Sequence, residues 1–129
     1  MPNLTLSLLS DSFAVCRFAA GTQVPPPPPT SFGLVVHAAE ETTLVCTESE
    51  APAKAHIVDA GWRCLRIEQS FDFSVPGILA SVLQPLADAK VGIFATSTFS
   101  TDYVLVKALD TERAVAALVK AGHEVKRPL

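Results

Sequence analysis

The chain has 129 residues, 49% of them hydrophobic and 18% charged, with a net charge of −3 at pH 7. That length allows one compact domain or two small modules sharing a core, and the acidic balance excludes the basic patch that nucleic acid or an anionic membrane surface would require. No apolar run approaches the ~18–20 residues of a membrane helix, and the alternating start, Met1 to Ser10, lacks the basic flank of a secretory leader, so the chain reads as a cytoplasmic protein.

Leu4, Leu6 and Leu8 alternate with polar residues, the period of a half-buried strand. Asp11-Ser12 reads as a turn, and Phe13 to Phe18 as the second strand of a hairpin, with Phe13 and Val15 on one face and Arg17 either solvated or a ligand anchor. Five consecutive prolines follow, Pro25 to Pro29. They fix φ and remove donors, so neither helix nor central strand passes through them, and a polyproline II connector is the default. The same run could also serve as a docking motif for an SH3-type module.

Phe32 to His37 and Leu44 to Thr47 read as strands around the polar turn Glu40 to Thr43. Ser49 to Ala60 suits a short helix, with Ser49 as cap and Pro52 in its first turn. Trp62 to Ile67 reads as a strand. Ile78, Leu79, Val82, Leu83 and Leu86 then follow the helical period, with Pro85 expected to kink or split that helix.

Ile93–Ala95 and Tyr103–Val106 are strand-like runs flanking a tip, Thr96 to Asp102, that holds several hydroxyls, one carboxylate and a lone Phe99. A turn needs one or two such residues, so the surplus points to chemistry. Asp110-Thr111-Glu112 opens a last helix through Ala114, Val115, Leu118 and Val119, which Gly122 ends. His123 to Lys126 is a short final strand.

Cys16, Cys46 and Cys64 are odd in number, lie in apolar runs and form no CxxC, which predicts buried structural thiols in a reducing compartment. His37, His56 and His123 show no metal-ligand spacing, and nothing in the chain calls for a metal or other cofactor.

From Trp62 onward the predicted order is β-α-β-β-α-β, a ferredoxin-like α+β arrangement with an antiparallel sheet and both helices on one face. Laying Gly33-Leu34-Val35-Val36 over Gly92-Ile93-Phe94-Ala95 brings Leu44-Val45-Cys46 onto Tyr103-Val104-Leu105, and Ala60-Gly61 onto Ala121-Gly122 with a two-residue shift. The expected organisation is a degenerate first module, residues 1–61, whose first helix is replaced by the proline run, and a second module, residues 62–129.

The phrase Ser97-Thr98-Phe99-Ser100-Thr101-Asp102-Tyr103-Val104-Leu105-Val106, with Val75-Pro76-Gly77-Ile78-Leu79 upstream and Phe13 to Arg17 early in the chain, resembles tandem ACT domain proteins of the arginine-sensor type. The resemblance implies a non-catalytic regulatory protein that binds a small ligand, typically an amino acid, where two ACT modules meet. It implies a homodimer. It also implies that Gly77 and Ile78 offer backbone groups, that Thr98, Phe99 and Asp102 line the pocket, and that Ser74 and Val75 belong to the loop facing a partner module. Val75 stands where arginine sensors carry an acidic residue, which leaves a guanidinium one carboxylate short. Elementary physics agrees: a helix start at Gly77 suits a ligand carboxylate, and Asp102 suits an ammonium.

Other classes stay open. Asp102 could simply cap the hairpin turn, and the chain could be a scaffolding dimer with a decayed site. Asp72, Asp102 and His123 could be posed as acid and base of a small enzyme, although no GxSxG motif and no phosphate-cradling loop is present.

Overall fold

The computed structural model describes residues 3–28, 30–72 and 74–128. Pro29, in the proline run, and Phe73, in the loop before the first predicted helix, lie outside the described residues. The strands are β1 (Thr5–Ala19), β2 (Leu34–His37), β3 (Glu41–Thr47), β4 (Ile57–Ile67), β5 (Ile93–Ser97), β6 (Asp102–Lys107) and β7 (Glu124–Lys126). The helices are α1 (Ile78–Asp88) and α2 (Thr111–Lys120). The chain forms two compact units, Met1–Ser10 with Arg63–Leu129, and Asp11–Trp62. β1 and β4 each run through both.

In the first unit the strand order is β1-β4-β6-β5, with β7 pairing in parallel on β1. Residues two apart on neighbouring strands, Leu6 and Leu8, Leu65 and Ile67, Val104 and Val106, point to one face. They meet Ile78, Val82 and Leu86 of α1 and Ala114 and Leu118 of α2, residues spaced four apart along each helix. Both helices therefore cover the same side of the sheet, as the ferredoxin-like α+β pattern requires.

Pro85 lies inside α1, which nevertheless continues to Asp88. A proline there leaves the Ser81 carbonyl without its helical donor, a defect of about 3 kcal/mol. His123 fills the gap. Its Nε2 lies 2.8 Å from the Ser81 carbonyl, and its Nδ1 accepts the Leu4 N–H at 3.0 Å. A neutral ring with its hydrogen on Nε2 satisfies both contacts. The helix is not split at Pro85, where a side chain supplies the missing donor.

In the second unit the strand order is β2-β3-β1-β4. β3 pairs antiparallel with both β2 and β1. Ala14, Cys16, Phe18, Leu44 and Cys46 form its core, and Phe13 meets Phe32 edge to face with ring centroids 6.1 Å apart. Arg17, exposed on β1, pairs with Glu41 at 2.9 Å across the ladder, so it is a strand-surface residue.

Three local expectations change. Leu4 to Phe18 is not a hairpin: Thr5–Ala19 is one strand, and even positions are buried at 4, 6 and 8 and again at 14, 16 and 18, with the alternation lapsing between them, where Ser10 and Ser12 are exposed and Phe13 is buried. No Gly or Asn there offers a tight turn. Ser49 to Ala60 is not a helix. A 3-10 turn at Glu48–Glu50 is followed by loop and by β4 from Ile57. Ala51, Ala53 and Ala55 have period two and little area to bury, and β-branched Ile57-Val58 favours the strand. Asp110 does precede α2, but its carboxylate takes Arg113 at 2.9 Å instead of capping a backbone N–H.

Candidate functional site

The β5–β6 ladder closes at Ser97 opposite Asp102, which leaves Thr98 to Thr101 as the tip. Its hydroxyls are largely structural. The Thr98 N–H donates to the Thr101 carbonyl at 2.8 Å, and Thr98 Oγ1 accepts the Thr101 N–H at 3.3 Å. Thr101 Oγ1 lies 2.8 and 3.0 Å from the carbonyls of Ile67 and Gln69. The Phe71 N–H donates to the Ser100 carbonyl at 3.2 Å. These bonds stitch the tip to the segment that leads from β4 to α1. The Ser97 hydroxyl donates to the Asp102 carboxylate.

Before α1, the Asp72 side chain accepts the Ser74 N–H at 3.0 Å, and its carbonyl accepts the Val75 N–H at 3.0 Å. This is the local turn that Asp favours. The bond from Ser74 holds the Asp72 carboxyl below its ordinary range. Gly77 follows with φ +82°, a left-handed conformation in which a side chain is strained although open space surrounds the position. It starts α1, whose first N–H groups have no acceptor within the helix.

A cavity of about 250 Å³ lies between loop, helix start and hairpin tip. Phe71, Asp72 and Val75 line it from the loop, residues 77–80 from the helix, and residues 97–102 from the tip. Six residues singled out from the sequence thus come together: Val75, Gly77, Ile78, Thr98, Phe99 and Asp102. Ser74 is not among the lining residues. Phe99 is 85% exposed at the tip. Sequence reasoning missed Phe71, Leu79 and Thr101 as lining residues and considered Asp72 only as an acid. The legible signal was Phe71-Asp72 in the short loop that leads to a glycine-initiated helix.

The lining side chains include two carboxylates, Asp72 and Asp102, and no Lys, Arg or His. The lining side chains therefore favour positive charge, and the helix start favours negative charge. His123, posed above as an acid or base, is buried, with both ring nitrogens engaged by backbone. Among the described residues no group of three or more His, Cys, Asp or Glu could hold a metal ion.

Residues 57–120 match the family model for the ACT domain. The chain is an ACT-domain protein. ACT domains are regulatory modules that bind small ligands and are not themselves catalytic. Over its full length the chain is similar to the protein Atu0741 of Agrobacterium tumefaciens, with 31% identity and a TM-score of 0.92 covering 100% of this chain and 96% of that one, and it belongs to the same family. It is 31% identical over 107 residues to the human protein CASTOR3P, covering 74% of this chain. The chain spans 57% of that relative's length. The regulatory subunit of aspartate kinase from Thermus flavus shares the fold, with a TM-score of 0.67 at 13% identity over 93% of this chain and 99% of that one. No helix among the described residues is long and apolar enough to cross a membrane.

Proposed function

We infer that this ACT-domain protein binds a free amino acid in the cavity between α1 and the β5–β6 tip, and that a second copy of the chain completes the site. The observation that carries the reading is the meeting of a helix start and a carboxylate in one small cavity. The ligand carboxylate sits at the first turn of α1 beside Gly77 and Ile78, where unpaired N–H groups and the helix dipole favour it. The ammonium sits at Asp102 in a charge-assisted bond. Thr98 and Phe99 close the tip side. A volume of about 250 Å³ suits a ligand smaller than the drug-sized occupants of common pockets.

Ser74 and Val75 face the partner module in this reading. Exposed Val75 and the position of Ser74 outside the lining of its own cavity support it. In this reading residues 1–61 are the degenerate module in sequence order and residues 62–129 the intact one, with Met1–Ser10 packing into the unit of the intact module. In support, the β2–β3 and β5–β6 hairpins are each followed by a 3-10 turn, Glu48–Glu50 and Ala108–Asp110. Three free, buried thiols support a reducing, cytoplasmic setting.

Thermal unfolding against each of the common amino acids at millimolar concentration tests the function. A ligand at a hundredfold excess over Kd stabilises by about 2.7 kcal/mol, a shift of several degrees for a domain of this size. Asp102→Ala abolishes that shift while leaving the unliganded midpoint close to wild type. If no amino acid moves the midpoint, the protein is a scaffolding dimer or its ligand belongs to another class. A mass that stays monomeric across concentration, with and without ligand, overturns the shared site.

A further inference from the structure

We propose that Pro25 to Pro28 form a docking ridge for a partner protein whose groove of parallel aromatic rings takes a polyproline II helix. Each residue from Val24 to Pro28 precedes a proline and is therefore held extended, and Pro25 to Pro28 have φ fixed near −65°. A polyproline II helix repeats every three residues. Positions 24 and 27 then share one ridge, 25 and 28 a second, and 26 lies on the third.

Burial follows that period. Val24 and Pro27 are half-buried, and Pro25, Pro26 and Pro28 are exposed. Val24 packs against the core of Ala14, Cys16, Phe18, Leu44 and Cys46. Pro27 lies so close to Gly33 that a Cβ on that glycine would come within 2.8 Å of Pro27 Cγ. One ridge is clamped to the sheet, and two adjacent ridges face outward.

A connector needs rigidity only along its clamped ridge. The outward prolines are what an aromatic groove reads, since it engages a polyproline helix from one side and leaves the far ridge free. The prolines restrict the segment to extended conformations before binding, so docking avoids part of the entropy cost that a flexible peptide bears. At the Val24 end, Pro25 shares a surface groove of about 610 Å³ with Lys54 and His37. The complementary partner therefore carries an acidic side chain beside its aromatic rings.

The test uses the full chain titrated with purified SH3, WW and profilin-type domains up to about 1 mM, a range that captures weak specific contacts. At least one domain binds saturably. The outer-ridge double variant Pro25→Ala/Pro28→Ala weakens that binding about tenfold or more, with its thermal midpoint unchanged. Lys54→Glu weakens it severalfold, and this difference shrinks as salt is raised. Failure of every domain to bind, or binding that ignores both variants, overturns the proposal. A double variant that lowers the midpoint leaves the Lys54→Glu titration to decide: equal affinity at low salt overturns the proposal, and weakened affinity supports it.

Discussion

The β2–β3 and β5–β6 hairpins share a strand plan and differ in what leads into them. Both are antiparallel, both are followed by a 3-10 turn, and the glycines that the internal alignment superposes, Gly61 and Gly122, have φ of +79° and +100°. The strand that precedes β5–β6 leads through α1, and the one that precedes β2–β3 through prolines. A helix start presents N–H groups and a positive dipole end. A run of prolines presents carbonyls and no donor at all. The same strand plan therefore offers an anion-binding end in one half and an apolar ridge in the other. The tips differ in the same sense, since Asp102 has Thr43 as its counterpart in the alignment. Under the proposed function, connector chemistry, more than strand order, sets where a zwitterion would bind.

The helical connector carries a defect that the proline connector lacks, and this gives the largest expected effect. His123→Ala strips the donor from the Ser81 carbonyl, strands the Leu4 N–H and opens a cavity, for a loss of about 3–5 kcal/mol. Pro85→Ala placed in that variant restores an N–H to the helix and recovers at least about 1 kcal/mol. A double-mutant cycle by urea unfolding measures both. If the two effects simply add, His123 does not compensate for Pro85, and the comparison loses its account of how α1 continues past Pro85.

The two units can be compared through their thiols. Burial pushes Cys46, in β3, up to about 11 and Cys64, in β4, up to about 12, each from an ordinary value of 9.0. A nearby Cys16 reinforces the shift at Cys46, and Arg66 opposes it at Cys64. Below the unfolded value both states keep the thiol protonated, and the full stability is present. Above it the unfolded chain loses protons that the folded chain retains, so stability falls as pH rises from about 9 through 11 and 12. Urea midpoints measured from pH 8 to pH 11 should decline, and less steeply in Cys64→Ala. At pH 8 a thiol reagent should find the folded chain unreactive and the urea-unfolded chain fully reactive. Rapid labelling of the folded chain would refute the burial of these residues.

Legibility in the sequence followed the same contrast. The half from Trp62 onward could be read element by element, because its apolar residues repeat at clean periods of two and of four, and glycines mark the start of α1 and the end of α2. The first half was harder. The turn predicted at Asp11-Ser12 rested on polarity alone, with no Gly or Asn to make it, and β1 runs straight through those residues in the chain. The Ala-rich segment after Ser49 offered helix formers without a face to bury. At the cavity, residues of the hairpin phrase were visible because their chemistry exceeded what a turn needs. Phe71 and Leu79 were not, because an aromatic or a leucine lining a site looks in sequence like one filling a core. The His123–Ser81 contact was invisible for another reason. Nothing local at position 123 refers to a proline 38 positions earlier in the same numbering.

The smallest expected effect separates the two helix ends. Both helices close with the same reversed pattern of bonds: the Val91 N–H donates to the Leu86 carbonyl at 2.9 Å, and the His123 N–H to the Leu118 carbonyl at 3.0 Å. The residue at the turn is left-handed in each case, Lys90 with φ +61° and Gly122 with φ +100°. Only Gly takes that conformation without a steric cost, which for other residues is about 1 kcal/mol. Lys90→Gly should therefore stabilise the protein by up to about 1 kcal/mol, offset in part by the greater freedom of glycine in the unfolded chain. Gly122→Ala should destabilise it by more than Lys90→Gly stabilises it, because the new Cβ would also lie 2.9 Å from Asn3 Oδ1. Thermal midpoints of the two variants decide the point. A Lys90→Gly protein less stable than wild type would mean that the lysine side chain contributes more at the end of α1 than its backbone strain costs.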